Sequence, residues 1–182
     1  NDLNSVRNLL VSQPGEFAAL IIEPASTELP IGDFFQELKK LLHDHGVLLI
    51  FDEIITGFRF SLGGAQELFN VIPDLTCLGK GMGNGMPISA ITGRADVMTE
   101  MEEIFFSGTF GGEALSLAAS LAVIKKMERE PVIDYLWENG KVLAKNVEEI
   151  IYQFKLEDVI SLVGAAPWKI LTYQNHKNAS KE

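Results

Sequence analysis

VLLIFDE, Val47 to Glu53, is the stretch on which the reading of the fold turns. Five apolar residues in succession leave no polar face, so the segment reads as a strand buried on both sides, and it ends in acid. FAALIIEP, Phe17 to Pro24, repeats the pattern: an apolar run that meets Glu23 and is stopped by proline. Between them, DFFQELKKLLHDHG carries apolar residues at 34, 35, 38, 41 and 42. That spacing predicts a helix, with Asp33 as N-cap and Gly46 as the stop. Doubly buried strands joined through a helix imply an α/β fold with a mostly parallel sheet and helices on both faces.

Downstream, LTCLGKG and ISAITGR are weaker strand candidates. EALSLAASLAVIKKMER is a helix rich in small residues. PVIDYLWENGKVLAKNVEEIIYQF is a longer one, with Pro131 suited to its first turn and an apolar stripe through 136, 143, 147, 150, 151 and 154. Neither a repeat nor a linker stands out. The simplest division is one domain over residues 1–156, with 157–182 starting a C-terminal small domain or tail.

The chain has 182 residues, 47% hydrophobic and 22% charged, enough apolar material for a real core. Its net charge of −10 argues against nucleic acid or an anionic membrane as partner. The single cysteine, Cys77, excludes an internal disulfide and fits a reducing, cytoplasmic setting. No apolar run reaches the roughly 20 residues that span a bilayer, and NDLNSVRNLLVSQPG has no basic-then-apolar leader pattern. The sequon at Asn178–Ser180 reads as chance. The chain does not begin with Met and ends in the polar YQNHKNASKE, so an incomplete protein is expected.

Three places can carry chemistry. Asp52 ends a buried strand, where ligands sit in open α/β sheets, and an acid there requires a cationic partner or serves only to cap the DEIITG turn. Lys80, 28 positions later, follows a candidate strand and lies between Gly79 and Gly81, with Gly83 and Gly85 behind. Flanking glycines would let a bulky group reach the amine; the alternative is a solvated lysine in a flexible turn. A P-loop requires Ser or Thr after the lysine, where Gly81 stands. GMGNGM fails as a dinucleotide fingerprint because Met86 replaces the third glycine and Pro87 follows. In FFSGTFGGEA, the run Ser107, Gly108, Thr109, Gly111 and Gly112 offers backbone N–H groups and two hydroxyls before a helix, an anion-binding arrangement or an ordinary capped turn. An amine, a carboxylate and a phosphate-type site together suit pyridoxal phosphate, with no metal.

LLIFDEIITGFR, PDLTCLGKGMGNGMPISAITGR and SGTFGGEALSLAA resemble the class III (subgroup II) aminotransferases of the fold type I pyridoxal phosphate enzymes. Within them the chain is most similar to the glutamate-1-semialdehyde 2,1-aminomutase branch. The resemblance covers roughly residues 15 to 150. It implies the large domain of that fold, in part, and amino-group transfer between small-molecule donor and acceptor. It implies that Lys80 forms the Schiff base and carries the proton, and that Asp52 pairs with the pyridine nitrogen. Ile54 would pack on the ring. Thr109, with Ser107 and Gly108, would reach the cofactor phosphate across a homodimer. Glu23 matches the acid of an EP motif with a supporting role.

Ile55 stands where many ω-amino acid aminotransferases carry Gln, which favours the aminomutase-like branch. EPASTELP departs from the aminomutase pattern after its EP, and GKGMGNGMP departs from the usual run after the lysine. Glu113 stands where Asn is more frequent, as in relatives acting on sugar or surface-polysaccharide precursors. The upstream phosphate loop and the ring-stacking aromatic are expected before residue 1. A non-catalytic remnant keeping the fold and dimer surface is the competing reading. His43 and His45 are expected to be solvated at a helix end rather than metal ligands. Arg59 is expected either to pair with Glu53 or Glu67 or to meet a substrate carboxylate. Trp137 and Trp168 read as core or interface, and Cys77 as a small buried residue.

Overall fold

The computed structural model describes residues 2–173, and the sequon and the polar tail after Tyr173 lie outside them. The chain divides into two compact units, one of residues 2–24 and 30–133, the other of 25–29 and 134 onward.

The first unit opens with α1 (Leu3–Ser12), capped by Asp2, whose carboxylate accepts from the Ser5 amide at 3.0 Å and the Ser5 hydroxyl at 2.6 Å. Then come β1 (Ala19–Ile22), α2 (Phe34–Asp44), β2 (Leu48–Asp52), α3 (Gly64–Leu68), β3 (Leu75–Leu78), β4 (Ala90–Gly93), α4 (Ala95–Met98) and α5 (Ala114–Arg129). The sheet order is β1-β2-β3-β4; the first two pairings are parallel and the last antiparallel. The expected mostly parallel α/β sheet is present, and both weak strand candidates are strands.

The alternation of β2 decides where the core lies. Leu49 and Phe51 are fully buried among Phe35, Leu38 and Leu42 of α2, with Leu10 of α1. Phe35 stacks edge-on against Phe51 at 4.8 Å. Each such aliphatic side chain removed from water stabilises by about 2 kcal/mol. The opposite side of β2 carries Leu48, Ile50 and Asp52, all half-buried. Asp33 stands at the start of α2 but makes no capping hydrogen bond through its side chain, contrary to expectation.

The second unit holds most of α6 (Val132–Gln153) and an antiparallel pair, β5 (Ile160–Val163) and β6 (Ile170–Tyr173). A side chain at Gly140 would stand 1.9 Å from the Ala166 carbonyl, so this mid-helix glycine permits backbone contact. The predicted stripe is buried at Ile151 but exposed at Leu143, Ile150 and Phe154. One helix and a two-stranded ribbon are too little to cover it.

Asp74 ties the first unit together. It is fully buried, and its carboxylate accepts from the Leu49 amide (2.8 Å) and Arg94 Nη1 (3.0 Å) and meets His43 Nε2 (2.8 Å). His43 is therefore anchored, not simply solvated: the helix end delivers it to an acid 31 positions away. His45 Nδ1 lies 3.0 Å from the Leu41 carbonyl. No cluster of three metal-ligating side chains occurs among the described residues. Burial alone would raise the Asp74 carboxyl, but the Leu49 amide, His43 and Arg94 outweigh it and hold it below the usual range.

A depressed native value stabilises the fold above the unfolded carboxyl pKa, near 4, and that stability is lost as pH falls through the lowered value. Asp74→Ala leaves the buried Leu49 amide unpaired and should cost about 3 kcal/mol, the low end for a broken buried pair because His43 and Arg94 keep solvent contact. Urea denaturation of wild type and variant checks this. The difference should persist at neutral pH and shrink in acid.

Candidate functional site

The carboxyl ends of β2 and β3 lie side by side, with Asp52 in register with Cys77. Asp52 is the last residue of β2 and half-buried; its Oδ1 accepts from the Ile54 amide at 3.0 Å. Lys80 comes three residues after Cys77, is exposed, and opens a 3₁₀ turn, Lys80–Met82, with φ +34°. A non-glycine residue at positive φ is strained and persists only where its surroundings over-determine it. Burial pushes the Cys77 thiol up, and the nearby Asp52 charge adds to the shift. The fold thus places an amine and a carboxylate at the ends of neighbouring parallel strands.

The glycines beside Lys80 have a different role from the expected one. A side chain at Gly79 would stand 3.0 Å from Ile54 Cδ1. One at Gly81 would stand 3.3 Å from the Gly57 carbonyl and 3.4 Å from the Phe58 carbonyl. One at Gly83 would meet Ile88 at 2.5 Å. The space is taken by the protein itself: the segment after β2 lies against the lysine turn, and glycine permits that approach.

Glu53 was missed by sequence reasoning except as an ion-pair partner for Arg59. It is fully buried. Its carboxylate accepts from Thr56 Oγ1 (2.7 Å), the Ala65 amide (2.6 Å) and the Gln66 amide (2.9 Å). Its own amide donates to the Cys77 carbonyl at 2.9 Å, and its carbonyl accepts from Gly57 at 2.8 Å. The available signal was a second acid straight after the strand with a threonine three positions on. Arg59 Nε donates to the Ile55 carbonyl at 3.0 Å. Glu23 is exposed, directly after β1.

Ser107, Gly108 and Thr109 are exposed on the turn before α5, where Gly111 donates to the Gly108 carbonyl at 3.0 Å. Gly108 and Thr109 line a cavity of about 660 Å³ with Met82, Ile88, Ser116 and Ser120. Lys80 and Asp52 do not line it; Met82, in the lysine turn, is the link. The helix end itself is not an open anion site. Glu113 caps it, accepting from the Leu115 and Ser116 amides at 2.7 Å each and from the Ser116 hydroxyl at 2.5 Å. A carboxylate occupies the donors that the sequence reading left for an anion.

Against known proteins, the aminotransferase class-III family matches residues 2–165. The chain is similar to a glutamate-1-semialdehyde 2,1-aminomutase of Flavobacterium psychrophilum, 38% identical over 173 residues, covering 91% of this chain and 40% of that protein. A protein of the same name from Syntrophobacter fumaroxidans is 42% identical over 156 residues, covering 82% and 36%. Among solved structures, an omega-transaminase from Sphaerobacter thermophilus superimposes with TM-score 0.81 at 30% identity, over 96% of this chain and 41% of that one. The Sphingopyxis sp. MTA144 FumI protein, in a PLP internal aldimine form, shares the fold with TM-score 0.83 at 24% identity, over 96% and 43%. The chain spans about 40% of the length of the first curated relative.

The Glu113 carboxyl is held below its usual range by the Ser116 hydroxyl, then by the Ser116 and Leu115 amides. The cap is therefore complete above the ordinary glutamate pKa and is lost as pH falls through the lowered value. Amide exchange at Leu115 and Ser116, normalised for intrinsic rate, should be protected at neutral pH. It should lose protection in acid and at all pH values in Glu113→Ala.

Proposed function

Because the chain belongs to the class-III aminotransferase family, we propose that it is the lysine-bearing part of a pyridoxal phosphate enzyme that moves an amino group. The observation that carries this reading is the placement of Asp52 at the end of β2 and of Lys80 just beyond the end of the adjacent parallel strand β3. An exposed amine and a half-buried carboxylate on one sheet edge fit a cofactor with an aldehyde at one end and a ring nitrogen at the other. The cofactor supplies an electron sink for carbanion chemistry. Lys80 Nζ would hold the cofactor by its aldehyde, and the same amine, when free, would serve as the base that carries a proton. The Asp52 carboxylate would keep the ring nitrogen protonated. Ile54, which lies against Gly79, would pack beside the ring.

Thr109, with Ser107 and Gly108, serves the phosphate of a second copy. Two facts support that: Lys80 is not among the residues lining the cavity that Gly108 and Thr109 line, and the surface around them is apolar. Phe105 is 97% exposed, and Phe106, Phe110 and Leu117 are more than half exposed, which is unusual unless such a surface is covered. Residues 1–156 are read as part of the large domain, with a small domain or tail beginning at 157.

The substrate reading is an aminomutase of the glutamate-1-semialdehyde type, supported by the names of the relatives and by Ile55 in place of Gln. Glu113 favours a second reading, an aminotransferase for a sugar precursor. Donor and acceptor are small molecules in both.

The test is borohydride reduction after incubation of the full-length protein with pyridoxal phosphate, followed by peptide mass spectrometry. A pyridoxyl adduct at Lys80, absent in Lys80→Ala, is expected. Activity should fall about 10³-fold or more in Lys80→Ala and about 10²-fold in Asp52→Asn. A folded protein with no adduct at Lys80 leaves the non-catalytic remnant.

A further inference from the structure

Lys80 sits at positive φ in a turn whose flanking glycines press on the segment Ile54–Phe58. Something must hold that segment in place, and the side chain placed to do so is Glu53. Its carboxylate ties three points: Thr56 inside the segment, and the Ala65 and Gln66 amides at the start of α3 beyond it. Its backbone amide bonds β3 two residues before Gly79, at the Cys77 carbonyl. Gly64 leaves room for the carboxylate: a side chain there would stand 2.5 to 2.8 Å from its atoms, at a backbone φ of +80° that glycine tolerates. The closed loop from β2 to α3 is thus folded around one carboxylate and laid against both sides of the lysine.

We propose that Glu53 is a positioning residue for Lys80: it fixes the Ile54–Phe58 wall, and through the contacts at Gly79 and Gly81 that wall fixes the turn carrying the amine. The inference rests on Lys80 being the amine that takes the cofactor aldehyde. Glu53 touches neither cofactor nor substrate in this account; it acts through backbone placement. Glu53→Gln keeps the volume but turns a donor toward the backbone N–H of Ala65 or of Gln66, because each carboxylate oxygen accepts from one of those amides. The wall loosens, and the amine samples positions from which it does not reach the aldehyde.

The experiment uses the full-length protein, well below its thermal midpoint, with two readouts: the rate of pyridoxal phosphate capture at Lys80, trapped by borohydride, and the pH midpoint of the bound cofactor's visible absorbance. Glu53→Gln should slow capture about tenfold and move the midpoint by about half a pH unit. A merely structural role would lower the thermal midpoint and leave both readouts alone. Gly81→Ala is the second variant, since it presses on the Gly57 and Phe58 carbonyls without touching Glu53, and it should move both readouts the same way. If Glu53→Gln does not fold, Thr56→Val, which removes the bond from the segment to the Glu53 carboxylate, takes its place and should move both readouts the same way. Wild-type behaviour in the folded variants overturns the positioning role and leaves Lys80 as the reactive amine. No capture at Lys80 in the wild type removes the functional reading, and the inference with it.

Discussion

A carboxylate cannot be taken out of water without donors to meet it; burying one unsatisfied would cost several kcal/mol. Glu53 is fully buried one residue beyond the central strand, and the chain meets that constraint by wrapping residues 54–66 around it. The site depends on that wrapping. It lays Ile54 and the Gly57 and Phe58 carbonyls against the lysine turn; it requires glycine at 64 and leaves little room for a side chain at 79 and 81. Asp74 does the same for the other end of β3, joining α2, β2 and the residue after β4. Two buried acids thus bracket the strand that leads into Lys80.

Much of this was legible in the sequence. The apolar runs at 17–24 and 47–53 and the spacing at 34, 35, 38, 41 and 42 returned the parallel pair and its covering helix, because apolar runs and a helical stripe are local patterns; burial on both faces did not follow, since β2 fully buries one side only and Ile21 of β1 is exposed. Lys80 and Asp52 were legible as unusual residue types at strand ends. What escaped depended on partners distant in sequence. Glu53 meets amides 12 and 13 positions away, and His43 meets Asp74 across 31 positions. No periodicity announces either. Glu53 was also hidden beside Asp52, whose role drew the reading. The helix α1 and its Asp2 cap were passed over because the segment was read only for a leader pattern.

The glycines show how a right residue can be given a wrong reason. Their number around Lys80 suggested open space for an incoming group. The space is filled from the protein side, and it is the exposure and the left-handed backbone of Lys80 that present the amine outward. The turn before α5 carries a similar lesson. Its glycines and hydroxyls do look like an anion cradle, but Glu113 takes the helix-end amides. The proposed phosphate contact there would rest on Thr109 and the loop amides, not on the helix end.

One cofactor bridging Lys80 and Asp52 would join the two strand ends into a single site. A crystal structure of the full-length protein grown with pyridoxal phosphate would show it. Continuous electron density is expected from Lys80 Nζ to the cofactor's aldehyde carbon, with the ring nitrogen within hydrogen-bond distance of the Asp52 carboxylate. Cofactor bound elsewhere, or a ring turned so that its nitrogen faces away from Asp52, would contradict it.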